Sequence, residues 1–196
     1  MVASLSTDYV SAVDYLCEEV QSPVKREYRD GFIYNMAGAS NNHVTIAGNL
    51  FALLRSHVRG SGCRVFISDT KVHVQSRNSY YYPDVVVSCD RRDREFPNFL
   101  RYPKLIVEVL SDATEAFDRG DKFADYRTLD TMAEYVLISQ KHPQVEVFRH
   151  DENGQWTFAP HAENDTLHLV SVDFQCPVID LYEDVEFPPA EPEAEH

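Results

Sequence analysis

Two carboxylates interrupt the most apolar runs of the 196-residue chain: Asp84 in Tyr82-Pro-Asp-Val-Val-Val87 and Glu108 in Leu105-Ile-Val-Glu-Val-Leu110. Side chains alternate along a strand, so Ile106, Glu108 and Leu110 share one face while Leu105, Val107 and Val109 share the other. Glu108 is therefore expected to be buried, and an uncompensated buried carboxylate costs several kcal/mol. It must be ion-paired, protonated or bound to a cation. A structural pair with an arginine is the plainer reading if Glu108 acts alone. Asp84 follows Pro83, whose missing N–H marks a strand start or edge, so it lies at the mouth of a buried strand. An isolated Pro-Asp there is commonly a turn or cap. On neighbouring strands, however, the two carboxylates would repel, and one pKa would rise unless a cation lay between them. Hard oxygen ligands of this kind suit Mg²⁺.

Other residues could join such a centre. Lys122 has Asp118 and Tyr126 one helical turn before and after it on the same side. A lysine so placed is ordinarily solvated and paired with its aspartate. Its functional reading brings the ammonium to the metal end of the strand pair, to position a water or offset developing phosphate charge. Glu27, just before Asp30-Gly31, either brings a third carboxylate or pairs with Lys25 or Arg29. His43 and Asn49 read as cap and packing residues, and Asp69 is ambiguous, either a further site carboxylate or one neutralised by Lys71 on its own strand face.

The elements that must position these residues follow from periodicity. A short helix or lead-in is expected over 9–20, and alternation around Asp30-Gly31 predicts a hairpin. Ser40-Asn-Asn opens a helix up to Gly60, with Val44, Ala47, Leu50, Phe51 and Leu54 at helical spacing. Strand-rich runs span 63–74, 80–88 and 103–111, with a polar loop from Asp90 to Arg101 between the last two. Ser111-Asp112 is expected to cap a helix to about Thr128, with Phe117, Gly120 and Ala124 as its apolar stripe. Strands follow at 134–139 and 144–149, then a turn at 151–154 into Gln155-Trp-Thr-Phe158. Short edge strands are expected at 166–170 and 178–182. The order predicts one α/β (α+β) domain: a central mixed sheet flanked by helices, with an additional antiparallel hairpin.

Composition narrows the function. Lys and Arg number 18 against 32 Asp and Glu, a net charge of −14. Seven acids and no base lie from Asp180 onward, so the body still carries −7, which weighs against holding nucleic acid by bulk charge alone. The domain is expected over 1–186, with 187–196 an acidic, disordered tail. No run reaches the 18 to 20 apolar residues, roughly, of a membrane span, and the start lacks signal-peptide character, so the cytoplasm is expected and no membrane partner. Cys17, Cys63, Cys89 and Cys176 are too scattered for a zinc site and read as reduced, mostly buried thiols.

Four stretches in order, Tyr81-Tyr-Pro-Asp-Val-Val-Val87, Pro103-Lys-Leu-Ile-Val-Glu-Val-Leu-Ser111, Glu115-Ala-Phe-Asp-Arg-Gly-Asp-Lys-Phe-Ala-Asp-Tyr-Arg127 and Glu134-Tyr-Val-Leu-Ile138, resemble the Uma-two family. Its members are described as candidate restriction endonucleases with the PD-(D/E)XK nuclease fold. The stretch Asp30 to Ser40, with His43 and Asn49-Leu50, also fits, and the resemblance covers about residues 10–185. By position, Asp84 matches the Asp of the PD element and Glu108 the acid of the (D/E)XK element. Leu110 stands where the superfamily has Lys, so the resemblance assigns that role to Lys122 on the next helix, and Glu27 to the acid that often joins from the N-terminal part. It implies catalytic Asp84, Glu108 and Lys122, with Mg²⁺ or Mn²⁺ held by Asp84, Glu108 and Glu27. The implied substrate is DNA, cut to 5′-phosphate and 3′-hydroxyl ends by a homodimer. Arg91, Arg92, Arg94 and Arg101 are the candidate phosphate contacts. The competing readings are a catalytically silent DNA-binding or protein-interaction module that keeps the fold, and a nuclease acting on RNA.

Overall fold

The computed structural model describes residues 9–187. Most of the expected acidic tail, from residue 188, lies outside the described residues. In chain order the elements are α1 (Ala12–Glu19), β1 (Arg26–Arg29), β2 (Phe32–Asn35), α2 (Asn41–His57), β3 (Arg64–Ile67), β4 (Lys71–Val74), β5 (Ser79–Tyr81), β6 (Val85–Ser88), β7 (Phe99–Leu100) and β8 (Leu105–Leu110). Then come α3 (Glu115–Phe117), a π-helical turn (Asp118–Lys122), α4 (Phe123–Tyr126), β9 (Glu134–Ser139), β10 (Gln144–His150), β11 (Trp156–Ala162), β12 (Thr166–Leu169) and β13 (Phe174–Pro177). This is the mixed α+β fold the sequence predicts. A six-stranded sheet runs β11-β10-β9-β8-β6-β3, a five-stranded sheet β2-β1-β5-β4-β7, and β12 pairs with β13. Only β8 and β9 are parallel in the larger sheet.

The alternation along β8 sorts the core. Leu105, Val107 and Val109 pack with Ile46, Leu50 and Leu54 of α2. Ile106 and Leu110 pack on the opposite side with Phe123, Tyr126 and Tyr135. Glu108 points to this second side, toward α4. The Asp30-Gly31 hairpin also forms, with both residues at positive φ (44° and 96°) as a two-residue turn of that hand requires.

Two expected long strands are each divided. The run 63–74 breaks at Ser68, whose φ is 55° and whose N–H donates to the Asp84 carbonyl. The run 80–88 breaks at Tyr82-Pro-Asp84, because Pro83 has no N–H to continue a ladder. In each case one half joins the five-stranded sheet and the other the six-stranded sheet. Asp84 thus sits at the hinge between two sheets. The expected Arg-rich loop contains a 3₁₀ turn (Arg91–Glu95) and β7, and 178–182 is 3₁₀ rather than strand. β13, which pairs with β12, replaces it as the closing strand.

The helix after Glu108 differs most. Its first turn is closed by Glu115 N–H on the Ser111 carbonyl, and its middle is a π turn. Gly120 of the expected apolar stripe is exposed, whereas Asp118, Lys122, Phe123, Asp125 and Tyr126 face inward. Asp125 clamps this helix to the five-stranded sheet: it accepts from Tyr81 Oη at 2.6 Å and Arg29 Nε at 3.1 Å, with Arg77 Nε at 3.5 Å. The thiol expectation is corrected as well. Cys63 and Cys89 form a disulfide, because the Arg64–Ser88 pairing of β3 and β6 brings their neighbours together; Cys17 is free and exposed, and Cys176 free and buried. Among the described residues no helix is long and apolar enough to cross a membrane.

Because Asp125 is a buried carboxylate facing two guanidiniums, Asp125→Ala should cost about 3 kcal/mol. Urea unfolding checks this. A loss below about 1 kcal/mol would show that the clamp does not hold the helix.

Candidate functional site

Val85 pairs with Val107 in the antiparallel ladder of β6 and β8, so the next step of the register sets Asp84 beside Glu108. Asp84 is held at both oxygens: Oδ2 accepts from Val109 N–H at 2.7 Å, and Oδ1 lies 2.8 Å from His43 Nε2. Glu27 reaches the same place from β1, with Oε1 accepting from Tyr82 N–H at 2.9 Å. The π turn delivers Lys122 between them. Its Nζ lies 2.9 Å from Glu108 Oε1, 3.1 Å from Glu27 Oε1 and 3.6 Å from Asp118 Oδ1, and 5.6 Å from the centre of the Tyr81 ring. Glu27, Glu108, Asp118 and Lys122 are all buried. Tyr126 Oη adds a 3.3 Å hydrogen bond to Glu108 Oε1.

One ammonium therefore faces three buried carboxylates, with Asp84 a fourth close by. The other buried carboxylates are differently provided for. Glu19 takes Arg26 Nε and N–H, and Glu134 takes Arg149 Nε with the N–H groups of Val170 and Ser171. Asp93 takes Ser88 Oγ and two backbone N–H groups. At the Lys122 cluster the negative charge is in excess, and the proton affinities record it. Burial pushes the Glu108 pKa well above the carboxylate range against the pull of Lys122, and Asp118, Asp84 and Glu27 push it further. Glu27 is also raised, by burial that outweighs Lys122 and the Tyr82 N–H. Burial would lower Lys122, but attraction from Glu108 and Glu27 overrides it and holds the ammonium protonated.

The donors are hard oxygens, which fits a divalent cation such as Mg²⁺ or Mn²⁺. Among the described residues no group of three or more His, Cys, Asp and Glu is arranged to hold a metal. The ammonium of Lys122 stands between Glu27 and Glu108 instead.

Several contributors were not legible beforehand. Ser40 Oγ accepts the His43 N–H at the start of α2 and bonds Gln140 Oε1, while Gln140 Nε2 donates to the Leu110 carbonyl. A chain of polar contacts thus runs from Leu110 through Gln140, Ser40, His43 and Asp84 back to Val109, tying α2 to the end of β8. The helix cap at Ser40 with His43 three residues on was the available signal. Asn49 secures the C-terminal segment, donating to the carbonyls of Leu181 and Glu183. Asp69 pairs with Lys25, while Lys71 turns to Tyr82 Oη at 3.1 Å.

The four loop arginines are not gathered at the carboxylates. Their loop leaves β6 at Ser88, the end opposite Asp84. Arg91 and Arg94 are exposed, and Arg92 pairs with Asp90 over the Tyr102 ring. Arg101 Nε donates to His73 Nδ1, and its guanidinium lies over Phe96 and Phe99.

A family model, Uma2, described as "Putative restriction endonuclease", matches residues 12–178. "Uncharacterized protein slr1290" of Synechocystis sp. is 36% identical over 178 residues, which cover 91% of this chain and 94% of that protein. "Uncharacterized protein sll1609" of the same organism is 34% identical over 163 residues, 80% of this chain and 89% of the relative. The crystal structure of "a putative nuclease belonging to DUF820" from Anabaena variabilis is similar with a TM-score of 0.70, covering 89% of this chain and 98% of that one. At 16% identity that likeness speaks for the fold.

The charge excess has a pH signature. Folding tightens the Glu108 proton, so Glu108 stabilises the fold below the ordinary carboxylate value of 4.5, and that contribution is lost as pH rises toward its raised folded value. Each tenfold tightening is worth about 1.4 kcal/mol, or roughly 3 °C in a chain of this size. Glu108→Gln leaves Lys122 its other two carboxylates. Thermal melts in a chelator should show this variant gaining on the wild type as pH climbs from 4.5 to 8. An equal loss at every pH would instead mark Glu108 as a structural partner of Lys122.

Proposed function

The chain belongs to the Uma2 family, and from that premise and the site geometry we propose that it is a metal-dependent nuclease hydrolysing DNA phosphodiester bonds. The observation that carries the reading is the single Lys122 ammonium set against Glu27, Glu108 and Asp118, all buried, with Asp84 on the adjacent strand. Such an excess calls for either a proton or a divalent cation. Asp84 and Glu108, with Glu27 beside them, would hold Mg²⁺ or Mn²⁺, which when bound polarises a phosphate oxygen and lowers the pKa of water.

The chain's own groups supply the rest. Lys122 stays charged, offsets negative charge building on the pentavalent phosphate, and orients the attacking water. His43 and Val109 N–H fix the Asp84 carboxylate, and Tyr126 fixes Glu108. Cleavage leaves 5′-phosphate and 3′-hydroxyl ends in this reading, and cutting both strands requires two sites and hence a homodimer. Residence in the cytoplasm goes with a DNA substrate; the Cys63–Cys89 bridge stands against it, since reducing compartments seldom keep such bonds.

A second reading is a catalytically silent module that keeps the fold. It is favoured by the seat of Lys122 between Glu27 and Glu108, because protons retained on the buried carboxylates would answer the charge excess without a metal.

The deciding experiment incubates the pure protein with supercoiled plasmid, and in parallel with RNA, in Mg²⁺, Mn²⁺ or chelator. Metal-dependent DNA cleavage is expected. It should fall about 100-fold or more in Lys122→Met, on the scale of losing one transition-state charge contact, and equally in Glu108→Ala, both with native circular dichroism. A folded wild type that cuts neither polymer supports the silent module, and cleavage of RNA alone replaces the substrate.

A further inference from the structure

Consecutive residues of an extended segment face opposite ways. Tyr81 packs beneath Lys122, whereas Tyr82 turns its hydroxyl and ring to Lys71, at 3.1 and 5.0 Å. Beside Lys71 opens a cleft of about 340 Å³, walled by α1, β3, β4 and the segment 93–100. Its cations are Arg64, Lys71 and Arg94. None of the three is in an ion pair among the described residues.

Two acids also line the cleft, but both are engaged. Asp69 is taken by Lys25, and Asp93 by Ser88 Oγ and the N–H groups of Arg101 and Tyr102. Arg64 is the anomaly. Its guanidinium lies over the Phe66 ring at 5.1 Å, and its Nη2 is buried without a hydrogen-bond partner. A buried donor left unpaired costs about 1 to 3 kcal/mol. Burial lowers the Lys71 pKa, with only Glu19 opposing it, and an approaching anion would raise it again. In a chain with a net charge of −14, such a concentration of unanswered cations needs a reason. Phe66 and Phe96 supply aromatic walls beside them.

We propose that this cleft holds one phosphate and one unstacked base of a single-stranded nucleic-acid segment. Arg64 and Lys71 take the phosphate, Arg94 screens the backbone at the mouth, and the phenylalanines receive the base. The volume suits one nucleotide and excludes a duplex. Tyr82 links the two sites: its N–H serves Glu27 at the carboxylates, and its hydroxyl, which donates to Glu19, accepts from Lys71 of the cleft lining. The inference rests on the nuclease reading for the kind of polymer, and it adds where an unpaired strand lies.

The test is fluorescence anisotropy of a labelled 12-mer of deoxythymidylate with the full chain in chelator, so that nothing is cut. Binding is expected, weakened at least tenfold by Arg94→Glu or Arg64→Gln. Each removed cation should lower the log–log salt slope by about 0.7. Arg94 is exposed, so Arg94→Glu stays informative if Arg64→Gln fails to fold. Absent binding, binding indifferent to Arg94→Glu, or equal competition by unlabelled duplex overturns the proposal. Plasmid cleavage with cleft-independent binding refutes the cleft alone; cleft-dependent binding without cleavage refutes the nuclease reading alone.

Discussion

Everything at this site depends on one buried ammonium that cannot by itself balance the carboxylates around it. Lys122 lies within 4 Å of Glu27, Glu108 and Asp118, and all four groups are shielded from water. A surface lysine in such company would contribute little. In a desolvated setting the same contacts hold its proton firmly and leave the carboxylates competing for whatever positive charge remains. A retained proton or a bound cation would answer that demand.

The fold is shaped to create the imbalance. Pro83 interrupts one long strand so that its halves enter different sheets, and Asp84 is left at the crease. β1 carries Glu27 in from the second sheet, and β8 carries Glu108 in from the first. The π turn then lays Asp118 and Lys122 across the opening, with Asp125 pinned by Tyr81 and Arg29 to keep that turn in place. Such turns are rare and frequently found at functional sites. Here an ordinary apolar helix face would have left Glu108 with no counter-charge.

Much of this was readable before any coordinates. Glu108 announced itself as a polar residue at a position where alternation demanded an apolar one, and its predicted face is the one it occupies. Asp84 was legible from its proline. The Asp30-Gly31 turn followed from chemistry that fixes backbone hand. What escaped depends on contacts between distant segments. No local pattern shows that two strand runs split between sheets, because only the pairing partners of each half decide it. Phe117, Gly120 and Ala124 gave a helical stripe, yet the π turn leaves Gly120 exposed and brings Asp118, Lys122 and Asp125 inward together with Phe123 and Tyr126. The Cys63–Cys89 bridge follows from the β3–β6 register, which sequence spacing cannot supply. His43 looked like a cap residue, and it is near one; its second task, meeting Asp84, is a long-range contact.

The most direct measurement is isothermal titration of the chelator-stripped protein with Mn²⁺ at pH 7, repeated in buffers of different ionisation enthalpy. If the excess of buried carboxylate is what the metal answers, Mn²⁺ should bind and displace protons, with about one released per ion and binding weakened by Glu108→Gln. Heat that is independent of the buffer and unchanged in Glu108→Gln, or no binding at millimolar Mn²⁺, would contradict it and leave the Lys122 cluster a self-sufficient ion pair.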